Sequence, residues 1–83
     1  MKTLFVYTRN ECGNCVEAKV FLNELEIPYV EINVDNDYNG LEFLHRNGDK
    51  YLPQFYTDDR KFMSGGWNTV RTMRQHEILE RLK

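Results

Sequence analysis

The chain predicts a single α/β domain, ordered β-α-β-α-β-β-α, with a four-stranded mixed sheet flanked by helices. Three observations lead there. A short apolar run, Leu4 to Tyr7, is followed by a helical pattern and then by a strand-like alternation, which together make a β-α-β unit. Two later apolar stretches flank Asp58-Asp59, the arrangement of a hairpin. No linker, repeat or low-complexity stretch divides the 83 residues, so one core serves them all.

Each element has its own reason. Leu4 to Tyr7 is apolar on both faces, as a central strand requires. From Cys12 or Gly13 to about Glu26, Cys15, Ala18, Leu22 and Leu25 share one helical face, and Pro28 blocks continuation. Tyr29 to Val34 alternates, with Val30, Ile32 and Val34 on one side. A short helix is expected from Tyr38 to Arg46, weakened by Gly40 and stopped at Asn47-Gly48. Gln54 to Thr57 and Arg60 to Met63 form the two hairpin arms, and Ser64-Gly65-Gly66 forms a turn. Trp67 to Lys83 is helical, with a break near Gln75. The β-α-β unit is expected to be parallel and right-handed, with the hairpin extending the sheet antiparallel and helices covering both faces.

Composition narrows the function. A formal net charge of −2 gives no electrostatic case for nucleic acid. No apolar run approaches membrane-spanning length. Met1-Lys2-Thr3 leads directly into a strand without a targeting segment, and two cysteines free to cycle suit a reducing cytoplasm.

The informative motif is Cys12-Gly13-Asn14-Cys15, which holds the only two cysteines. A strand delivers the pair to the first turn of a helix, the sequence form of a thiol–disulfide redox centre. Residues i and i+3 of a first turn lie on one side, within the Cα separation of about 4.4–6.8 Å that a disulfide tolerates. The helix start supplies unpaired N–H groups and positive dipole, and Arg9 adds a cation; all favour a Cys12 thiolate, whereas Glu11 and Glu17 oppose it. A zinc site needs four ligands, and His45 and His76 lie on separate segments without partner spacing. A purely structural disulfide closing so short a loop would constrain the unfolded chain little.

With these residues in view, the chain resembles the glutaredoxins, compact members of the thioredoxin-fold superfamily, nearly end to end. The resemblance rests on Tyr7-Thr8 before Cys12-x-x-Cys15, on Leu52-Pro53-Gln54, and on Gly65-Gly66 opening the last helix. It implies a thioredoxin-like fold and a dithiol–disulfide oxidoreductase acting on protein disulfides and glutathione mixed disulfides. Cys12 would attack and Cys15 resolve. Tyr7, Arg9, Leu52, Pro53, Gly66, Trp67 and Asn68 would contact substrate or glutathione, with Pro53 cis. Read alone, Arg9 is a solvated charge and Trp67 a lid on the core. Glutathione is the implied reductant and no metal is expected. The chain is taken as a monomer, and protein partners include ribonucleotide reductase by similarity to small bacterial and phage glutaredoxins.

The sequence departs from the family pattern in places. Cys-Gly-Asn-Cys stands for the usual Cys-Pro-Tyr-Cys, removing a groove wall. Tyr51 stands for the threonine of Thr-Val-Pro, and Asn68, which suits a helix N-cap, for an acidic residue. Two alternatives follow: a glutaredoxin-like hydrogen donor reduced by thioredoxin reductase, and a [2Fe–2S] carrier whose cluster is held by Cys12 and glutathione.

Overall fold

The computed structural model describes residues 1–83. Its elements are β1 (Phe5–Thr8), α1 (Gly13–Glu24), β2 (Val30–Asn33), α2 (Tyr38–Arg46), β3 (Gln54–Tyr56), α3 (Trp67–Val70) and α4 (Gln75–Arg81). The sheet has the order β2-β1-β3. β1 runs parallel to β2, with Phe5 opposite Val30 and Thr8 opposite Asn33. It runs antiparallel to β3, with Phe5 opposite Tyr56 and Tyr7 opposite Gln54.

Strand alternation sends successive side chains of β1 to opposite faces, and each face has its own core. Leu4 and Val6 join Ala18 and Leu22 of α1, Phe55 of β3, and Trp67, Val70, Ile78 and Leu82 around α3 and α4. Tyr7 joins Val34, Leu44 and Tyr56, with Phe5, Ile32, Leu41 and Phe43 packed beside them, under α2. Helices therefore cover both faces. Fully burying one such aliphatic or aromatic side chain contributes about 1.5–3 kcal/mol.

The two long helices end in the same way. After α1 the Ile27 N–H bonds to the Leu22 carbonyl at 2.9 Å and the Glu26 N–H to that of Asn23 at 3.1 Å. Glu26 takes the left-handed conformation (φ 57°), and buried Ile27 packs in the same core as Leu22. This is a Schellman cap, and it stops the helix before Pro28 is reached. After α2, Asp49 N–H bonds to Leu44 O at 3.0 Å and Gly48 N–H to His45 O at 3.1 Å. That cap fixes the backbone of Asp49.

One expectation is corrected. The sheet has three strands, not four. The second hairpin arm contributes one bridge, Tyr56 to Lys61, and bonds from Thr57 N–H to Arg60 O (2.8 Å) and from Phe62 N–H to Phe55 O (3.0 Å). Gly65 and Gly66, at φ 91° and 54°, then turn the chain away. Too few residues lie between the two turns to build a ladder. The break expected near Gln75 is present: the C-terminal stretch is two helices, parted at Arg71 to Arg74. Thr72 Oγ1 bonds back to Thr69 O at 2.7 Å, and the Glu77 carboxylate accepts the Arg74 N–H at 2.8 Å. The first bond ends one helix locally and the second opens the next.

Candidate active site

Cys12 is the N-cap of α1. Its backbone is extended (φ −121°, ψ 102°), and its carbonyl accepts the N–H groups of Cys15 and Val16, each at 3.1 Å. The chain reaches this point through Glu11 in the left-handed region (φ 54°). The loop is anchored to the end of β2. Asn10 N–H donates to the Asp35 carboxylate at 2.7 Å, and Asn33 Nδ2 donates to Asn10 Oδ1 at 3.0 Å. Cys12 and Cys15 form a disulfide with Cα atoms 5.2 Å apart. Cys12 is half-buried, whereas Cys15 is 1% exposed and lies behind it. The Cys15 amide N–H points at Cys12 Sγ, 3.2 Å away.

A second segment meets the cysteines. The Leu52 carbonyl oxygen lies 3.9 Å from Cys12 Sγ, and the Leu52–Pro53 peptide is cis. Gln54 opens β3 opposite Tyr7, and its Nε2 donates to Tyr51 O at 2.7 Å, closing the loop on itself. A third segment, Ser64 to Asn68, completes the surround. Gly65 and Gly66 are required there. A Cβ on Gly65 would collide with Thr69 Oγ1, and one on Gly66 would touch Gln54 Oε1 (3.7 Å) and Pro53 O (3.9 Å). The positive φ at both positions also disfavours a side chain.

Together these segments enclose a groove of about 500 Å³, lined by Asn14, Leu52, Pro53, Gly66, Trp67 and Asn68 among others. Arg9 is exposed and lines an adjoining hollow of about 350 Å³ with Val34, Asp35, His45 and Leu52. Tyr7 lines neither: it is buried under α2, its ring stacked on Phe43 and edge-on to Tyr56. In a β1 paired on both sides, the residue before Thr8 faces the α2 core. Burial, then the charge of Asp37, raises the Tyr7 hydroxyl above its ordinary pKa. Asn68 is also not the cap expected of it. Gly66 caps α3, and Asn68 is exposed within the single turn that follows. Trp67 is 9% exposed, packs within the core and also lines the groove.

The sequence reading missed several lining residues: Asp49, Lys50, Tyr51, Gln54 and Lys61. Tyr51 and Gln54 flank Leu52-Pro53 directly, so for those two adjacency to that motif was the available signal. Asp49 is nearly buried and accepts from Lys61 Nζ at 2.6 Å and from the Tyr56 hydroxyl. Burial first, then the bond to Asp49, pushes the Tyr56 hydroxyl well above its ordinary pKa, so it stays a donor. Lys61 thus has its counter-ion, while Lys50 and Arg9 form no ion pair. Two buried polar atoms at the groove have no partner, Gln54 Oε1 and Trp67 Nε1.

Chemically, the arrangement can open and close one disulfide at the mouth of a peptide-sized groove. Similarity to known proteins agrees. The Glutaredoxin family model matches residues 4–62. Glutaredoxin 1 of Rickettsia conorii is 29% identical over 85 residues, covering 99% of this chain and 81% of that protein. The glutaredoxin-like protein NrdH of Lactococcus lactis subsp. cremoris is 35% identical over 57 residues, covering 69% of this chain and 79% of its own. Among solved structures, glutaredoxin 1 from Francisella tularensis, complexed with cacodylate, superposes with a TM-score of 0.71 at 25% identity. It covers 96% of this chain and 99% of its own. A redox-ready cysteine pair at a helix start, in a chain matched by the family over most of its length, makes this protein a member of the glutaredoxin family and a thiol–disulfide oxidoreductase.

Proposed function

We propose that the chain is a dithiol oxidoreductase that draws its electrons from glutathione, with Cys12 as the attacking thiol and Cys15 as the resolving one. The observation that carries this reading is the asymmetry of the pair. Cys12 Sγ stands at the groove beside the Leu52 carbonyl, 3.9 Å away, and Cys15 is buried behind it. A substrate disulfide can reach only the first.

In the forward direction the Cys12 thiolate attacks one substrate sulfur. A Cys12–substrate disulfide forms, the substrate S–S bond breaks, and the other substrate sulfur leaves as a thiolate that takes up a proton. Cys15, once deprotonated, attacks Cys12 Sγ. The intramolecular disulfide forms and the second substrate thiol departs, so two electrons have passed to substrate. The Cys15 N–H that points at Cys12 Sγ at 3.2 Å is the chain's own means of stabilising the thiolate.

The groove fits a tripeptide thiol in kind. The Leu52 backbone beside Cys12 Sγ offers strand-like pairing to an extended peptide. Arg9 and Lys50 are cations without partners at one side. A reducing compartment such as the cytoplasm suits a dithiol that must be returned to its reduced form. The test is NADPH-coupled turnover with glutathione and glutathione reductase, set against turnover with thioredoxin reductase alone. Turnover in the first system supports the proposal, and reduction only in the second overturns it.

That second outcome is the other reading, a hydrogen donor served by thioredoxin reductase. Asn68 favours it, being exposed and uncharged at the end of the groove where an ammonium group would seek a carboxylate. So does the similarity to NrdH-redoxin from Escherichia coli. That protein has a described thioredoxin-like activity profile, and its structure superposes with a TM-score of 0.69 at 26% identity, covering 94% of this chain and 92% of its own.

A further inference from the structure

Tyr51 is the most exposed large hydrophobic side chain of the molecule, at 82%, yet it stands at the active site. Leaving an aromatic ring in water forgoes the stabilisation that burial would bring. No hydrogen bond, ring contact or ion pair holds the side chain. Its backbone, by contrast, is fixed. The Tyr51 carbonyl accepts Gln54 Nε2 at 2.7 Å, and the next residue, Leu52, places its carbonyl 3.9 Å from Cys12 Sγ. The ring therefore rises from an anchored base one residue away from the reacting sulfur.

Its position is that of a partition. Tyr51 lines both the groove and the adjoining hollow. Across the groove, the helix side is low: positions 13 and 14 are Gly and Asn, and nothing lies within 4 Å of where a Cβ on Gly13 would be. The groove holds one other aromatic ring, Trp67. That ring is stacked on Phe55, meets the edge of Phe21 and lies under Arg71, 5.8 Å from its centroid. Tyr51 is thus the one aromatic wall with a free face.

We infer that Tyr51 is a specificity-determining residue, whose ring packs on an apolar side chain adjacent to the reacting cysteine of a protein disulfide and so selects protein segments of that chemistry. The inference rests on the proposed attack by Cys12 and names the substrate class for it. An apolar neighbour gains ring contact that a glycine neighbour cannot, a difference of about fivefold in kcat/KM for one aromatic–aliphatic contact.

Two otherwise identical peptide disulfides test it, one with Leu and one with Gly beside the cysteine. The wild-type protein should reduce the Leu peptide about fivefold more efficiently, mainly through KM. Tyr51→Phe should keep that ratio, and Tyr51→Thr should bring it to about one, while the alkylation rate of reduced Cys12 stays the same in both. The last readout separates selection from disturbance of the thiol. A wild-type ratio near one, or a Tyr51→Thr ratio still near five, overturns the inference. Cys12→Ser distinguishes the two levels. If it still exchanges, the role of Cys12 falls and this inference with it. If it is inactive while Tyr51→Thr keeps the ratio, the inference alone falls.

Discussion

At the scale of single residues, the molecule sets two chemically identical side chains in different surroundings. Cys12 is half-buried, takes a hydrogen bond from an amide and sits at a helix start; Cys15 is 1% exposed. Iodoacetamide should therefore modify Cys12 first in the reduced protein, at pH values well below the free-thiol pKa of about 8.5. Peptide mapping after brief labelling checks this, and preferential labelling of Cys15 would reverse the assigned roles. Asn68 gives a second residue-scale expectation. A charged hydrogen bond is worth about 1.5–3 kcal/mol against about 0.5–1.5 for a neutral one. Asn68 is exposed, so the gap shrinks to about 1 kcal/mol or less. Asn68→Asp should raise glutathione-dependent turnover up to about fivefold, through KM, with Cys12 alkylation unaltered. The cysteine pair could be read in the sequence because the chemistry resides in the residue type and its spacing. Asp49 could not, because its role depends on where a helix cap places it.

At the scale of elements, β1 and β2 are linked beyond their backbone ladder. The buried Thr8 hydroxyl donates to the Glu31 carboxylate at 2.6 Å, and Lys19 of α1 reaches the same oxygen at 3.0 Å. The bond from Thr8, and then Lys19, hold the Glu31 carboxyl below its ordinary value of 4.5, against the opposing effect of burial. A carboxylate with a depressed folded-state pKa stabilises the fold above its unfolded-state value. That contribution is lost as pH falls from about 4.5 through the lower folded-state pKa. Urea midpoints of wild type and Glu31→Gln should therefore converge on acidification across that window and differ, with wild type the more stable, near neutrality. A gap that does not narrow in acid would contradict the linkage. Element types were legible from periodicity: α1 and α2 lie close to where their apolar spacing puts them. The second hairpin arm was not. Arg60-Lys61-Phe62-Met63 has a strand's composition, but the turn at Gly65-Gly66 allows it one bridge. Such a competition between a turn and a ladder is decided by chain path, which alternation does not encode. The break before α4, by contrast, was legible near Gln75, and two side-chain bonds, from Thr72 and Glu77, fix it there.

At the scale of the whole molecule, the fold brings three separate stretches to one place: the start of α1, the Leu52–Pro53 loop and the Gly65–Gly66 turn. The two cores hold them there, one on each face of the sheet. Tyr7 shows how topology overrides proximity in sequence, since a residue five positions from Cys12 belongs to the opposite core. The proposed function turns on a division of labour in which Cys12 would meet substrate and Cys15, buried behind it, would complete the cycle. The most direct test is turnover of wild type, Cys12→Ser and Cys15→Ser on two substrates, a protein disulfide and a glutathionylated peptide. Cys12→Ser should be inactive on both. Cys15→Ser should lose reduction of the protein disulfide, which needs the resolving attack, and retain removal of glutathione, which needs only Cys12 and a second glutathione. Activity in Cys12→Ser, or undiminished protein-disulfide reduction in Cys15→Ser, would contradict the account.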